Sequence, residues 1–248
     1  MNRLSIKILV SLICYAILTG YRAPIDPKCL ITVKKYFEKA RTITKPDDKK
    51  TYYLNVSIQT INRPNADSYS SKAQMRILLN KKNFQYESDY INMYGDEKFI
   101  YTVVKSKKTI IKNFTTGDKA REEQYASIID MQDAMVEYAS NAKCNEIKDD
   151  KGNVTKIIRL EINNAGQAFF KVNEITFYID VETNLLKRSI MNYIINQPFV
   201  SQTIQFNEMS FDYKKEKPAI ASKILFDGKG KVSNRYKGFK FVDNTKKK

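Results

Sequence analysis

The 248-residue sequence contains no histidine and no tryptophan, and it has only 3 cysteines, 8 glycines and 6 prolines. Without histidine, the chain lacks the commonest general base and metal ligand, and it cannot form a Ser-His or Cys-His nucleophile pair. The few glycines and prolines, with 42% hydrophobic residues, argue against long disordered segments. We therefore expect a compact, non-enzymatic protein without a metal or other cofactor.

Positive charge is abundant, because 43 lysines and arginines stand against 27 acidic residues. The lysine clusters fall at predicted turns, so they are dispersed over the surface. Only 9 of the basic residues are arginine, the residue whose planar side chain suits phosphate and guanine best. We expect no nucleic-acid partner, and an anionic membrane surface or an envelope protein stays open as a partner.

The first 23 residues have the pattern of a secretory signal peptide. Two basic residues precede an apolar run at positions 8–18, and small residues follow near position 23. An uncleaved anchor is the alternative, but the run is shorter than the ~20 residues that a spanning helix needs. The sequence predicts a periplasmic protein, secreted through a cleaved signal peptide, whose residues 24–248 form one domain and a monomer.

Cleavage would leave two cysteines, Cys29 and Cys144. In an oxidising compartment, two cysteines form a possible disulfide. Two unpaired thiols are the alternative, because the sequence does not show whether the Cα atoms lie within about 7 Å of each other.

Hydrophobic periodicity predicts an α+β fold. A helix is predicted after Asp26 and ends before Pro46, and a second helix is predicted from Asp118 to about Asn141. Period-two alternation predicts strands between and after them. The predicted strands cover residues 52–58, 73–79, 84–86, 99–103, 109–112, 154–162, 168–170, 176–181, 185–195, 200–206, 220–226 and 236–242.

So many short strands predict a large antiparallel sheet. An open flat sheet of this size is disfavoured, so we expect it to curl into an unclosed half-barrel, with an N-terminal helix and a mid-chain helical insertion. Two packed sheets are the alternative architecture.

Two windows resemble the LolA/LolB-like lipoprotein carrier family, and the order of predicted elements matches too. Residues 72–112 have a strand, a lysine-rich turn, a strand, a Gly-Asp turn and an aromatic strand; residues 175–213 begin ITFYIDVETN and continue through a long hairpin to IQF. The resemblance implies an unclosed barrel with helices and an apolar cavity that accepts acyl chains. The chain departs from the family at Lys81 and Lys82, where family carriers often have an Arg-Pro pair that helps gate release, and it lacks their tryptophans.

The resulting hypothesis is a non-enzymatic carrier or binding protein for lipid or for the acyl groups of a lipoprotein. Lys81 and Lys82 are assigned to the gating turn. The alternative is a structural or interaction protein of the cell envelope, whose core is filled and which docks onto a protein partner. Alternation does not tell which face of each strand would hold a ligand. The candidate acyl-cavity residues are Met75, Ile77, Leu79, Phe84, Tyr86, Phe99, Tyr101, Phe177 and Ile179.

Overall fold

A computed structural model describes residues 26–41, 49–64, 70–115 and 133–246 of the chain. The helices in these ranges are α1 (Pro27–Arg41), α2 (Asn164–Phe170) and α3 (Ala221–Leu225), with a helical segment at 133–137 and a 3-10 turn at Asn234–Tyr236. The strands are β1 (Tyr52–Asn62), β2 (Ser70–Leu79), β3 (Phe84–Ser88), β4 (Ile91–Gly95), β5 (Phe99–Val104), β6 (Thr109–Phe114), β7 (Ala139–Lys148), β8 (Val154–Ile162), β9 (Val172–Asp180), β10 (Leu186–Tyr193), β11 (Phe199–Ser210) and β12 (Lys240–Asp243).

All of these strands belong to one sheet, in the order β12-β6-β5-β4-β3-β2-β1-β11-β10-β9-β8-β7. Neighbouring strands are antiparallel, except that β12 runs parallel to β6. The first and last strands of this order, β12 and β7, are not paired with each other, so the sheet is open. The predicted class, an α+β fold with a large unclosed antiparallel sheet, is confirmed. In the described ranges, no helix is long and apolar enough to cross a membrane.

Two segments that the sequence predicts as strands are helical in the structure. Residues 168–170 belong to α2, whose N-cap Asn163 accepts a hydrogen bond at Oδ1 from the Gly166 N–H. Gly166 also permits close packing, since a Cβ there would lie 2.5 Å from Ile162 Cγ2. Residues 220–226 contain α3 instead of a strand, because Ala221 and Leu225 lie on one helical face against the sheet.

The predicted mid-chain helix ends earlier than expected. The helical segment stops at residue 137, and β7 begins at Ala139, so the predicted end near Asn141 is wrong. The remainder of that helix, within residues 116–132, lies outside the described residues, as do the signal peptide and residues 42–48. The strand β4 was not predicted.

One row of paired residues crosses much of the sheet and defines its faces. Phe177 on β9 pairs with Ser189, Ser189 with Ile204, Ile204 with Ile58, and Ile58 with Ala73 on β2. Directly paired residues point to the same side of a sheet, and alternate residues of a strand share a side. We call the side that carries Phe177 the α1 face and the other side the opposite face.

Helix α1 covers one half of the α1 face. Val33 and Phe37 are at most 1% exposed, and they pack with Ile158 on β8 and with Phe177 and Ile179 on β9. Residues 133–137 contribute Met135 and Val136 to the same cluster. This half of the α1 face, over β7 to β10, is therefore a packed core.

The C-terminal segment covers part of the opposite face. Ala221 and Leu225 of α3, together with Tyr236, pack on Tyr94 and Val103 of strands β4 and β5. The Tyr94 hydroxyl lies 3.2 Å from the Tyr236 hydroxyl, and burial followed by the Tyr236 hydrogen bond raises the pKa of Tyr94. Among the described residues, α1 thus packs on one side of the sheet over β7 to β10, and the C-terminal segment packs on the other side over β4 to β6.

Candidate functional site

The two faces of strands β2 to β6 differ in charge. On the α1 face of these described strands, every side chain is uncharged. Strand pairing and alternation place on this face Met75, Tyr86, Met93, Thr102 and Ile111. The charged residues lie on the opposite face: Lys72, Arg76, Glu87 and Lys112. An uncharged face on five adjacent strands suits an apolar ligand, because a ligand bound there would not remove water from any charged side chain.

A patch on this face is apolar but incompletely buried. Its base is the buried trio Tyr52, Leu79 and Phe84. Four partly buried side chains pack around the trio: Ile77, Tyr86, Met93 and Phe211. Met75 is also partly buried and lies on the same face, where it pairs with Ser88. We call these five residues the free patch. Helix α1 approaches the border of this patch, where the Lys39 ammonium lies 5.4 Å from the centre of the Phe211 ring. Among the described residues, the apolar side chains of the free patch therefore stay partly exposed on the α1 face.

The structure brings seven of the predicted cavity residues to the α1 face. Met75, Ile77 and Tyr86 belong to the free patch, and Leu79 and Phe84 lie in its base. Phe177 and Ile179 share the face but are 0% exposed under α1, so they are core residues in this conformation.

Phe99 and Tyr101 lie on the opposite face, so they cannot line one cavity with the other seven residues. Tyr101 pairs with Tyr94, and both pack in the cluster below α3. The physical reason is the turn before β5, which pairs Gly95 with Ile100. Ile100, and not its neighbour Phe99, therefore shares the face of Phe84.

Lys81 and Lys82 are exposed in the β2–β3 turn, where the sequence placed them. The Asn80 side chain organises this turn, because its Oδ1 accepts hydrogen bonds from the backbone N–H groups of Lys82 at 3.0 Å and Asn83 at 2.8 Å. A role of these lysines in gating stays a prediction.

A disulfide joins Cys29 on α1 to Cys144 on β7, with the two Cα atoms 5.6 Å apart. The bond ties the helix that covers the packed half of the α1 face to an edge strand of the sheet. It therefore holds α1 in place across a sequence separation of 115 residues.

Sequence reasoning missed two residues of the free patch, Met93 and Phe211, and one buried polar residue in the packed half of the α1 face, Ser189. Met93 was missed because β4 was not predicted, although Ile91 and Met93 alternate with polar Asn92. Phe211 follows the end of β11 and gave no periodic signal. Ser189 is 1% exposed on the α1 face beside Phe177, and its hydroxyl has no hydrogen-bond partner among the described residues.

No protein family model matches this chain, and no curated protein matches it. LprF from Mycobacterium bovis is similar in structure, with a TM-score of 0.43 and 12% identity over 79% of this chain and 99% of that chain. A LolA superfamily protein from Nitrosomonas europaea has a TM-score of 0.30 and 10% identity, over 73% of this chain and 94% of that chain.

The MucA/MucB complex of Pseudomonas aeruginosa matches with a TM-score of 0.29 and 8% identity, over 79% of this chain and 62% of that chain. Structures of the LolA superfamily are therefore among those that this chain resembles, as predicted. All three TM-scores are below 0.5, so these likenesses assign no function, which has to follow from the residues of this chain.

Proposed function

We propose that this protein is a non-enzymatic, periplasmic carrier or binding protein that holds lipid acyl chains, free or on a lipoprotein, against the free patch. The observation that carries this proposal is the uncharged, partly buried α1 face of strands β2 to β4. It lies next to the half of the same face that helix α1 covers. Apolar side chains left partly exposed beside a packed core form a surface that an apolar ligand can bury.

The chemistry of the patch favours a flexible hydrocarbon. Met75 and Met93 are unbranched and polarisable, so they adapt to chains of different shape. Neighbouring strands lie about 4.8 Å apart, so the side chains on β2, β3 and β4 line a strip wide enough for an extended chain. Each buried methylene contributes ~0.8 kcal/mol, so an acyl chain needs no specific polar contact to bind.

The disulfide supports export to an oxidising compartment. Disulfides persist in the periplasm and outside cells, whereas cytosolic thiols are kept reduced. The Cys29–Cys144 bond therefore agrees with secretion, and we propose that residues 1–23 are the signal that directs it.

A second function is favoured by a different surface. Exposed apolar residues gather near α2 and the β10–β11 hairpin, where Phe169 is 75% exposed and Ile195 is 85% exposed. The backbone N–H of Ile194 donates to the Lys171 carbonyl at 3.0 Å, so the two elements are joined. An envelope protein that docks onto a protein partner would use such a surface.

Binding of a fluorescent fatty acid, 11-(dansylamino)undecanoic acid, tests the acyl proposal. We expect saturable binding to the protein, weakened about tenfold, or ~1.4 kcal/mol, when Ile77→Asp places a carboxylate in the free patch. The matched control is Phe114→Asp, because Phe114 is 62% exposed and lies on the opposite face. Thermal unfolding of each variant shows whether it is folded.

Met75→Gln provides a second variant if Ile77→Asp does not fold. No uptake by the wild-type protein would refute acyl binding, and equal affinity in all folded variants would place binding elsewhere. Under either result, the docking function is tested next. Phe169 and Ile195 are replaced by alanine, and partner binding by the variant is compared with partner binding by the wild-type protein.

A further inference from the structure

A concave site lies on the opposite face of the sheet, away from the free patch. It is a cleft of about 620 Å³ between the α3 region and strands β6 and β12. Pockets for small ligands in proteins have volumes of about 300–1,000 Å³. We call it the C-terminal cleft, and the lining residues used below are Tyr101, Lys112, Ser222, Phe226, Phe241 and Asp243.

Aromatic rings form one wall of the cleft. The Phe226 ring lies 6.0 Å from Tyr101 and 5.1 Å from Phe241, centroid to centroid. Phe226 is held by a bridge to Val232, and the turn between them is closed by Asp227, whose Oδ1 accepts hydrogen bonds from the N–H groups of Lys229 and Lys231. The wall is therefore a fixed apolar surface.

The base of the cleft offers both hydrogen-bond donors and acceptors. The Lys112 ammonium lies 3.5 Å from Asp243 Oδ2, while Asp243 Oδ1 accepts hydrogen bonds from Thr245. The Thr245 hydrogen bonds lower the pKa of Asp243, and burial, followed by the charges of Asp96 and Asp243, raises the pKa of Tyr101. At neutral pH, the base therefore presents the Asp243 carboxylate and the neutral Tyr101 phenol, beside the Lys112 side chain.

The charges that line the cleft balance. Lys112 and Lys223 stand against Asp227 and Asp243, so neither a cation nor an anion has an overall advantage. The ligand that fits is neutral, has hydroxyl groups that both donate and accept, and has an apolar face that packs on an aromatic ring. A pyranose ring combines these properties.

We propose that the C-terminal cleft is a saccharide-binding site. The sugar packs its apolar C–H face on the exposed ring of Phe241, with the nearly perpendicular Phe226 ring at its side. Its hydroxyl groups hydrogen-bond to Asp243, Lys112 and Ser222. This site is independent of the acyl-binding proposal, because it lies on the other side of the sheet and shares no residue with the free patch.

Isothermal titration calorimetry with maltose, N-acetylglucosamine and chitotriose tests the proposal. We expect saturable binding of at least one probe, an affinity loss of about tenfold in Phe241→Ala, and retained binding in Phe241→Tyr, which keeps a ring. Phe169→Ala is the matched control, because this exposed phenylalanine lies on α2, outside the cleft. Its affinity should equal that of the wild-type protein.

Ser222→Trp is a second blocking variant, since Ser222 is exposed on α3 and a large side chain there occupies the cleft while the residues of β12 stay unchanged. Binding of the dansylated fatty acid should be the same in all of these variants. The proposal is overturned if no probe binds the wild-type protein, or if a probe binds Phe241→Ala and Ser222→Trp as tightly as it binds the wild-type protein.

Discussion

The ring of Phe37 on α1 meets the ring of Phe177 on β9 edge to face, with centroids 5.9 Å apart and an interplanar angle of 85°. Both side chains are at most 1% exposed. Edge-to-face pairs place the positive ring edge against the negative ring face, which stabilises them beyond simple burial. The contact fixes α1 on one half of the α1 face, beside the free patch.

Truncation of this contact should strongly destabilise the protein. Phe37→Ala removes a buried ring and leaves a cavity, so we expect a loss of about 3–5 kcal/mol in the free energy of unfolding. Phe169→Ala, at a position that is 75% exposed, should stay within about 0.5 kcal/mol of the wild-type value. Urea denaturation measures both, and equal midpoints would show that α1 does not pack as described.

Loss of the Cys29–Cys144 disulfide should also destabilise the fold. The bond closes a loop with a sequence separation of 115 residues, and disulfides of this kind contribute about 2–4 kcal/mol, mainly by restricting the unfolded chain. Denaturation with and without reductant measures the effect. The double variant Cys29→Ala/Cys144→Ala is the control, and it should unfold at the same denaturant concentration with and without reductant. The prediction would be contradicted if reduction of the disulfide left the denaturation midpoint of the wild-type protein unchanged.

Ser189→Ala should stabilise the protein. Its buried hydroxyl has no hydrogen-bond partner among the described residues, and an unsatisfied buried polar group costs about 1–3 kcal/mol. Ser88→Ala is the control with the opposite sign, because the Ser88 hydroxyl donates to the Ile91 carbonyl at 2.9 Å. If Ser189→Ala is instead the less stable variant in thermal unfolding, the hydroxyl has a partner in solution.

Acid should weaken the β9–β10 turn through Asp180. Burial alone would raise the pKa of Asp180, but hydrogen bonds from Thr183 and from the Lys187 ammonium lower it overall. The stabilisation from the carboxylate is therefore present above the unfolded pKa near 3.8 and is lost as the pH falls through the lower folded value. Asp180→Asn should be less stable at pH 7 and should lose less stability between neutral pH and pH 2. A variant with the wild-type pH profile would exclude Asp180 as a source of acid sensitivity.

Elements with a long, regular hydrophobic pattern could be predicted from the sequence alone. Helix α1 and strands such as β1 and β8 were predicted because their apolar residues recur at clear helical or strand spacing. Helix α2 is short, and it depends on the Asn163 cap and on the close approach at Gly166, which appear only in the folded chain. The edge strand β7 has several exposed polar residues, so its alternation is weak.

The faces of the candidate site were only partly predictable. Within β2, alternation places Met75, Ile77 and Leu79 on one side. Between strands, the face depends on how many residues each turn contains, and one residue more or less reverses it. Asp96 accepts hydrogen bonds from the N–H groups of Lys98 and Phe99, and this Asx turn sets the pairing that directs Phe99 to the opposite face.

Photo-crosslinking with a fatty acid that carries a diazirine group at its end tests acyl binding at the free patch most directly. The purified protein is irradiated with the probe, and peptide mass spectrometry identifies the modified residues. We predict labels on β2, β3 and β4 at Met75, Ile77, Tyr86 or Met93, removed by competition with unlabelled fatty acid. Competed labels on the opposite face, at Tyr101 or Tyr236, or no competed label at all, would contradict acyl binding at this patch.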